Sequence, residues 1–137
     1  MSDRKIVVAT HGKLAEGFLT ALNIIVGENE DICAVNCYTT PDFDLDQTID
    51  RIFEEAEGKE LYVFTDLLGG SVNNGFFKRL STKQFHLITN TSLGLLMDCS
   101  LMNPNADELR NKLGSGEFSV VYCNDLIESM GLEEDDL

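Results

Sequence analysis

The 137-residue sequence has no tryptophan, two prolines and two histidines, and ten lysines and arginines stand against 24 aspartates and glutamates. Each scarcity excludes something. A formal net charge of −14 repels a phosphate backbone, so nucleic acid is not an expected partner. Anionic membrane surfaces are disfavoured for the same reason. The four cysteines, Cys33, Cys37, Cys99 and Cys123, form no Cys-x-x-Cys pair, and two histidines leave no zinc-ligand spacing. Three of the four lie in apolar runs and read as small buried apolar residues in a reducing compartment. No apolar run approaches the ~18 residues of a membrane helix. Arg4-Lys5 leads straight into a short strand rather than a secretory apolar core. A soluble cytoplasmic chain with no metal and no cofactor is expected. The absence of Gly-Lys-Ser/Thr excludes a Walker loop, and the absence of Gly-x-Gly-x-x-Gly removes the dinucleotide fingerprint.

What is present is ample apolar content, 43 %, in a strict alternation of element types. A single domain over residues 1–130 is expected, with an acidic tail at 131–137. Lys5 to Ala9 is a β-branched run suited to a strand buried on both faces. Leu14, Phe18, Leu22 and Ile25 recur at helical spacing, and Gly27 ends that helix. Ile32 to Tyr38 reads as a second strand. Asp44 to Ala56 reads as a helix with Leu45, Ile49, Ile52 and Phe53 on its inward stripe. Leu61 to Thr65 is a third strand, Gly70 to Leu80 a helix, Phe85 to Thr89 a fourth strand and Ser92 to Met102 an apolar helix. Asn105 or Asp107 caps a helix reaching Leu113. Phe118 to Cys123 is expected to be a last short strand. Strands alternating with helices imply right-handed crossovers and a mainly parallel sheet covered on both faces, an α/β/α sandwich.

Parallel sheets of this kind place their sites beyond the carboxyl ends of the strands, where strand order reverses. Two strand ends carry reactive polar groups. His11 follows the first strand in Thr10-His11-Gly12. Asp66 follows the third, in Asp66-Leu-Leu-Gly69-Gly70-Ser71. Neutral imidazole has one donor and one acceptor nitrogen. A carboxylate on the donor nitrogen sets tautomer and ring orientation, and the other lone pair is left as a nucleophile. Gly70 and Ser71 open a helix, whose free N–H groups and dipole suit a small anion such as one phosphoryl group. His86, inside a strand pattern, reads as a structural residue. Asn73 and Asn74 read equally well as internal hydrogen-bonding groups or as lining of the crevice.

These two motifs at this separation resemble the IIA domain of the mannose family of the bacterial phosphoenolpyruvate-dependent sugar phosphotransferase system (PTS). The resemblance covers nearly the whole chain in length and element order. It implies a four-stranded parallel sheet with a short fifth strand, here Phe118 to Cys123, exchanged across a homodimer. It also implies roles: His11 accepts phosphate from the phosphocarrier protein HPr and passes it to a histidine of the IIB component, which serves the membrane components IIC and IID. Asp66 would orient His11, and Ser71 with Gly70 would hold the phosphate. Val72 stands where the family usually has proline, which suits a helix's first turn but is not chemically required. Leu67-Leu68 replace small or aromatic residues, and with Phe18 they are candidates for an apolar ring around His11. The same fold would also suit a regulatory module phosphorylated without transport, a dihydroxyacetone-kinase phosphodonor, or a ligand binder in which His11 is structural.

Overall fold

A computed structural model describes residues 3–131. The chain divides into two compact units, Met1–Pro104 and Asn105–Leu137. The first unit carries β1 (Arg4–His11), α1 (Leu14–Ile25), β2 (Ile32–Cys37), α2 (Leu45–Glu55), β3 (Glu60–Thr65), α3 (Ser71–Phe77), β4 (His86–Ile88) and α4 (Leu93–Met102). The second carries α5 (Ala106–Gly114) and α6 (Cys123–Met130).

The four strands form one sheet in the order β2-β1-β3-β4, and all three pairings are parallel. β1 and β3 each have a neighbour on both sides, which explains their unbroken apolar runs: Val7, Val8, Ala9, Val63 and Phe64 are fully buried. Alternation of side chains sends Val7, Ala9 and Val63 to one face. There they pack with Ile49 and Ile52 of α2 and Val72 and Phe76 of α3. Ile6, Val8 and Phe64 point to the other face, which α1 covers and α4 extends. Burying a residue such as Phe76, 0 % exposed, contributes roughly 1.5–3 kcal/mol before entropy is charged against it.

Local signals set most boundaries. Asp44 caps α2 by accepting the Gln47 N–H at 3.0 Å. Ser92 caps α4 by accepting the Leu95 N–H at 3.2 Å. Of the two candidates for α5, Asn105 is the cap, and Glu108 completes a reciprocal capping box with it. The third helix is shorter than its pattern: α3 ends at Phe77 and the chain tightens into a 3₁₀ turn over Lys78–Ser81.

One expectation is overturned. Phe118 to Cys123 is not a strand. Residues 118–122 are turn, bend and coil, and Cys123 begins α6. A strand exists only with a neighbour to share its ladder, and among the described residues the sheet has no fifth member. Val120, Val121 and Tyr122 are exposed, so β-branched propensity alone does not hold the segment extended in a ladder. Of the acidic tail, residues 132–137 lie outside the described residues. Cys37 and Cys99 are buried, Cys33 is half-buried and Cys123 is exposed, with no disulfide among them.

Candidate functional site

The order β2-β1-β3-β4 means the chain steps to one side of β1 for β2 and to the other for β3. The carboxyl ends of β1 and β3 are therefore the point where strand order reverses and where the covering loops part. His11 is the last residue of β1, and Asp66 follows the last residue of β3. Ala9 is paired with Thr65 across the two strands, so the two functional candidates emerge side by side.

The Thr-His-Gly corner divides its work among three residues. Thr10 is fully buried, and its Oγ1 accepts the Ala15 N–H at 2.7 Å, anchoring the start of α1. Gly12 turns the chain at φ +60, a conformation open to glycine without penalty, while its N–H donates to Cys37 O at 2.8 Å. His11 between them is left with its side chain 41 % exposed.

A single carboxylate oxygen holds the histidine twice. Asp66 Oδ2 accepts the His11 backbone N–H at 3.0 Å and lies 3.0 Å from ring Nδ1. A carboxylate only accepts, so Nδ1 carries the proton and Nε2 presents its lone pair. The Asp66 side chain is 13 % exposed, and its Oδ1 is buried with no hydrogen-bond partner among the described residues. Its negative charge is thus directed at the imidazole with little competition.

The far side of the ring meets α3. Gly70 is the cap residue and Ser71 the first residue of the helix. Ser71 Oγ lies 3.2 Å from His11 Nε2. Gly69 makes the preceding turn at φ +82. A Cβ on Gly70 would come within 3.2 Å of His11 Cε1 and 3.2 Å of Leu67 O, so the close approach of ring and helix requires the absent side chain. Asn73 is buried and Asn74 exposed, and both bond within the protein: Asn73 Oδ1 accepts from Thr65 Oγ1 at 2.7 Å, and Asn74 Nδ2 donates to Gly69 O at 3.1 Å. Asn90, after β4, accepts the Leu68 N–H at 3.1 Å and so braces the same loop.

Tyr38 is the site residue that reading the sequence missed. It was visible only as the end of a strand pattern. Its hydroxyl is 2.9 Å from Ser71 Oγ, and its ring stacks on His11 with centroids 5.5 Å apart. The signal available was its position: it leaves β2 at the same sheet edge where His11 and Asp66 leave β1 and β3. Of the three residues expected to ring the histidine, Leu67 and Leu68 are exposed on the loop between Asp66 and α3, and Phe18 is half-buried on α1. His86 is elsewhere, at the start of β4, with Nε2 3.3 Å from Glu60 Oε2 and its ring stacked on Tyr62. Beside the site, Cys37 is pushed up to about 11, first by burial and then by the charge of Asp66, so its thiol stays protonated and is no nucleophile. A cavity of about 180 Å³, lined by Leu19, Leu22, Asn29, Ile32 and Ser100 among others, lies near the start of β2, away from this chemistry. Among the described residues no helix is long and apolar enough to cross a membrane.

The fold and the paired strand ends define an open, all-parallel α/β protein with a carboxylate-held histidine facing a helix start at the switch in strand order. More closely, the chain belongs to the EIIA-man family: the family model described as PTS system fructose IIA component matches residues 5–113. Solved structures agree. The chain is similar to a Klebsiella pneumoniae subsp. pneumoniae protein described as a phosphoenolpyruvate-dependent sugar PTS permease, with 34 % identity over 90 % of this chain and 93 % of that one and a TM-score of 0.80. It is similar to the mannose/sorbose-specific IIA subunit from Enterococcus faecalis at 25 % identity, covering 89 % and 95 %, with a TM-score of 0.75. The EIIA component from Streptococcus agalactiae gives 25 % identity, 89 % and 98 % coverage and a TM-score of 0.74. No curated protein matches the chain.

Proposed function

We propose that this chain is a phosphocarrier: His11 Nε2 accepts a phosphoryl group from phospho-HPr and passes it to a histidine on a IIB component, which in turn phosphorylates sugar entering through membrane partners. The observation that carries this reading is the line Asp66 Oδ2, His11 Nδ1, His11 Nε2, Ser71 Oγ, with contacts of 3.0 and 3.2 Å. It is supported by membership of a family whose members are PTS IIA components.

The step is an in-line displacement. Before transfer, the Ser71 O–H donates to the Nε2 lone pair. As the donor docks, that O–H turns to a phosphoryl oxygen and frees the lone pair. The N–H groups of Ser71, Val72 and Asn73 precede the first intrahelical bond, from Asn74 N–H to Gly70 O, and so have no partner within the helix, which leaves them available to a phosphoryl group at the helix start. The donor's phosphorus–nitrogen bond breaks and its electron pair returns to the donor ring, while the Nε2–phosphorus bond forms. The Nδ1 proton stays in place, and the positive charge arising on the ring is met by Asp66. A phosphoramidate donor is already activated, so positioning and charge stabilisation are sufficient. Transfer to IIB is the reverse with a new acceptor. Exposed Leu67 and Leu68 would exclude water when a partner docks, with polar contacts outside them. A cytoplasmic homodimer completes the reading.

The test is direct. With phosphoenolpyruvate, the general PTS enzyme and HPr, the intact mass should rise by one phosphate that is acid-labile and absent from His11→Ala. A wild-type chain that gains no phosphate ends the proposal.

A further inference from the structure

Tyr38 follows the last residue of β2 with φ +63, a left-handed conformation that a bulky residue rarely adopts. Backbone strain of this kind persists where surrounding structure demands it, and it gathers at functional sites. Here the turn brings the ring between two others. One face stacks on His11 at an interplanar angle of 18°, and Phe43 packs against it at 4.8 Å between centroids. The hydroxyl ends 2.9 Å from Ser71 Oγ.

The donors and acceptors along this line follow from the Asp66 end. Nδ1 carries its proton toward Asp66, so Nε2 accepts. Ser71 has one proton and gives it to Nε2. Its remaining capacity is to accept, so the Tyr38 O–H is the donor in the Tyr38–Ser71 pair. Ser71 is exposed, and an exposed serine otherwise samples three staggered rotamers. The hydrogen bond from Tyr38 selects the one that faces Nε2.

We propose that Tyr38 is a positioning residue for the His11 site: its hydroxyl pins Ser71 Oγ beside Nε2, so that the Ser71 O–H is in place for the phosphoryl oxygens. The hydroxyl touches no reacting atom itself and acts through Ser71. The proposal rests on the phosphocarrier reading above, and the experiment separates the two.

Wild type, Tyr38→Phe, Ser71→Ala and the double variant are compared as full chains. The first readout needs no phosphate donor: the ¹⁵N resonance of His11 Nε2 in the unphosphorylated protein. In Tyr38→Phe it should move toward its position in Ser71→Ala. The second is the rate of phosphorylation by phospho-HPr. Tyr38→Phe keeps the ring stack and should transfer roughly fivefold more slowly, the worth of one hydrogen bond. The double variant should be no slower than Ser71→Ala alone, because a residue acting through another adds nothing once that one is gone. Wild-type transfer by Tyr38→Phe, or a further independent loss in the double variant, overturns the proposal. If wild type itself takes no phosphate, the phosphocarrier reading falls, and the resonance decides on Tyr38 by itself: an Nε2 signal unmoved by Tyr38→Phe overturns the pinning.

Discussion

Replacing Asp66 with asparagine isolates the charge that the site directs at its histidine. The amide oxygen can still accept the two hydrogen bonds that Asp66 Oδ2 takes from His11, each 3.0 Å, so contact is retained and charge is lost. With charge centres about 4 Å apart, a carboxylate and a cationic ring attract by about 4 kcal/mol at an effective dielectric of about 20. The ring is 41 % exposed, and solvent screening leaves about half of that, ~2 kcal/mol. That energy is absent before attack and present once positive charge has formed on the phosphorylated ring, so it appears in the rate as about a 30-fold loss. Single-turnover phosphorylation by phospho-HPr, followed by intact mass, measures it, with a thermal melt confirming that the variant is folded. Transfer at the wild-type rate by a folded Asp66→Asn protein would refute the electrostatic account, because geometry alone would then be sufficient.

Two glycines, one capping α3 and one inside it, should separate chemistry from stability. Gly70→Ala suits its backbone, φ −73 and ψ 157, so its cost falls on the site: the new Cβ sits 3.2 Å from His11 Cε1, and transfer should slow about tenfold with little change in Tm. Gly75→Ala places a Cβ 2.8 Å from Ile49 Cδ1 and 3.0 Å from Leu45 Cδ2, so overpacking between α2 and α3 should cost about 1–3 kcal/mol in a urea melt while the folded fraction transfers normally. Stability should also fall in alkali. Burial raises the Cys37 thiol to about 11 and raises Cys33 as well, whereas unfolded thiols ionise at about 8.5. Below that value both states hold the proton and nothing changes. Above it the unfolded chain loses protons first, so folding free energy declines until the folded thiol titrates. Urea melts at about pH 8 and about pH 10 should show the decline, reduced in Cys37→Ala; a rise in stability over that range would contradict the assignment.

Much of this site was legible before any coordinates. Thr10-His11-Gly12 and Asp66 to Ser71 each sit where an apolar run meets a small-residue turn, and those corners are local features. Residue type does not distinguish Gly70 from Ser71 as the cap of α3, because both are acceptable there; the extended backbone at Gly70 decides it. Asn73 and Asn74 were undecidable for a different reason. Their partners, Thr65 and Gly69, lie within eight residues in sequence, but the direction of each side chain depends on how α3 docks on the sheet. Tyr38 was missed because its contact with Ser71 spans 33 residues and its conformation opposes its own propensity. Phe118 to Cys123 failed because strand propensity describes fitness for a ladder, and a ladder needs a neighbour.

The amino-acid order alone determined most of the local vocabulary of this protein: the runs that form β1 to β4, the helix starts near Asp44, Ser92 and Asn105, and the corners that hold a histidine and an acid. Those choices are settled within a few residues by backbone propensity, hydrophobic period and capping hydrogen bonds. The tertiary structure decided that β1 lies between β2 and β3, which brings His11 and Asp66, 55 residues apart, onto one oxygen and brings Tyr38 to Ser71. No local term selects that arrangement, because strand neighbours are chosen by the burial of both sheet faces beneath their crossover helices, a free energy that belongs to the assembled layers and not to any one segment.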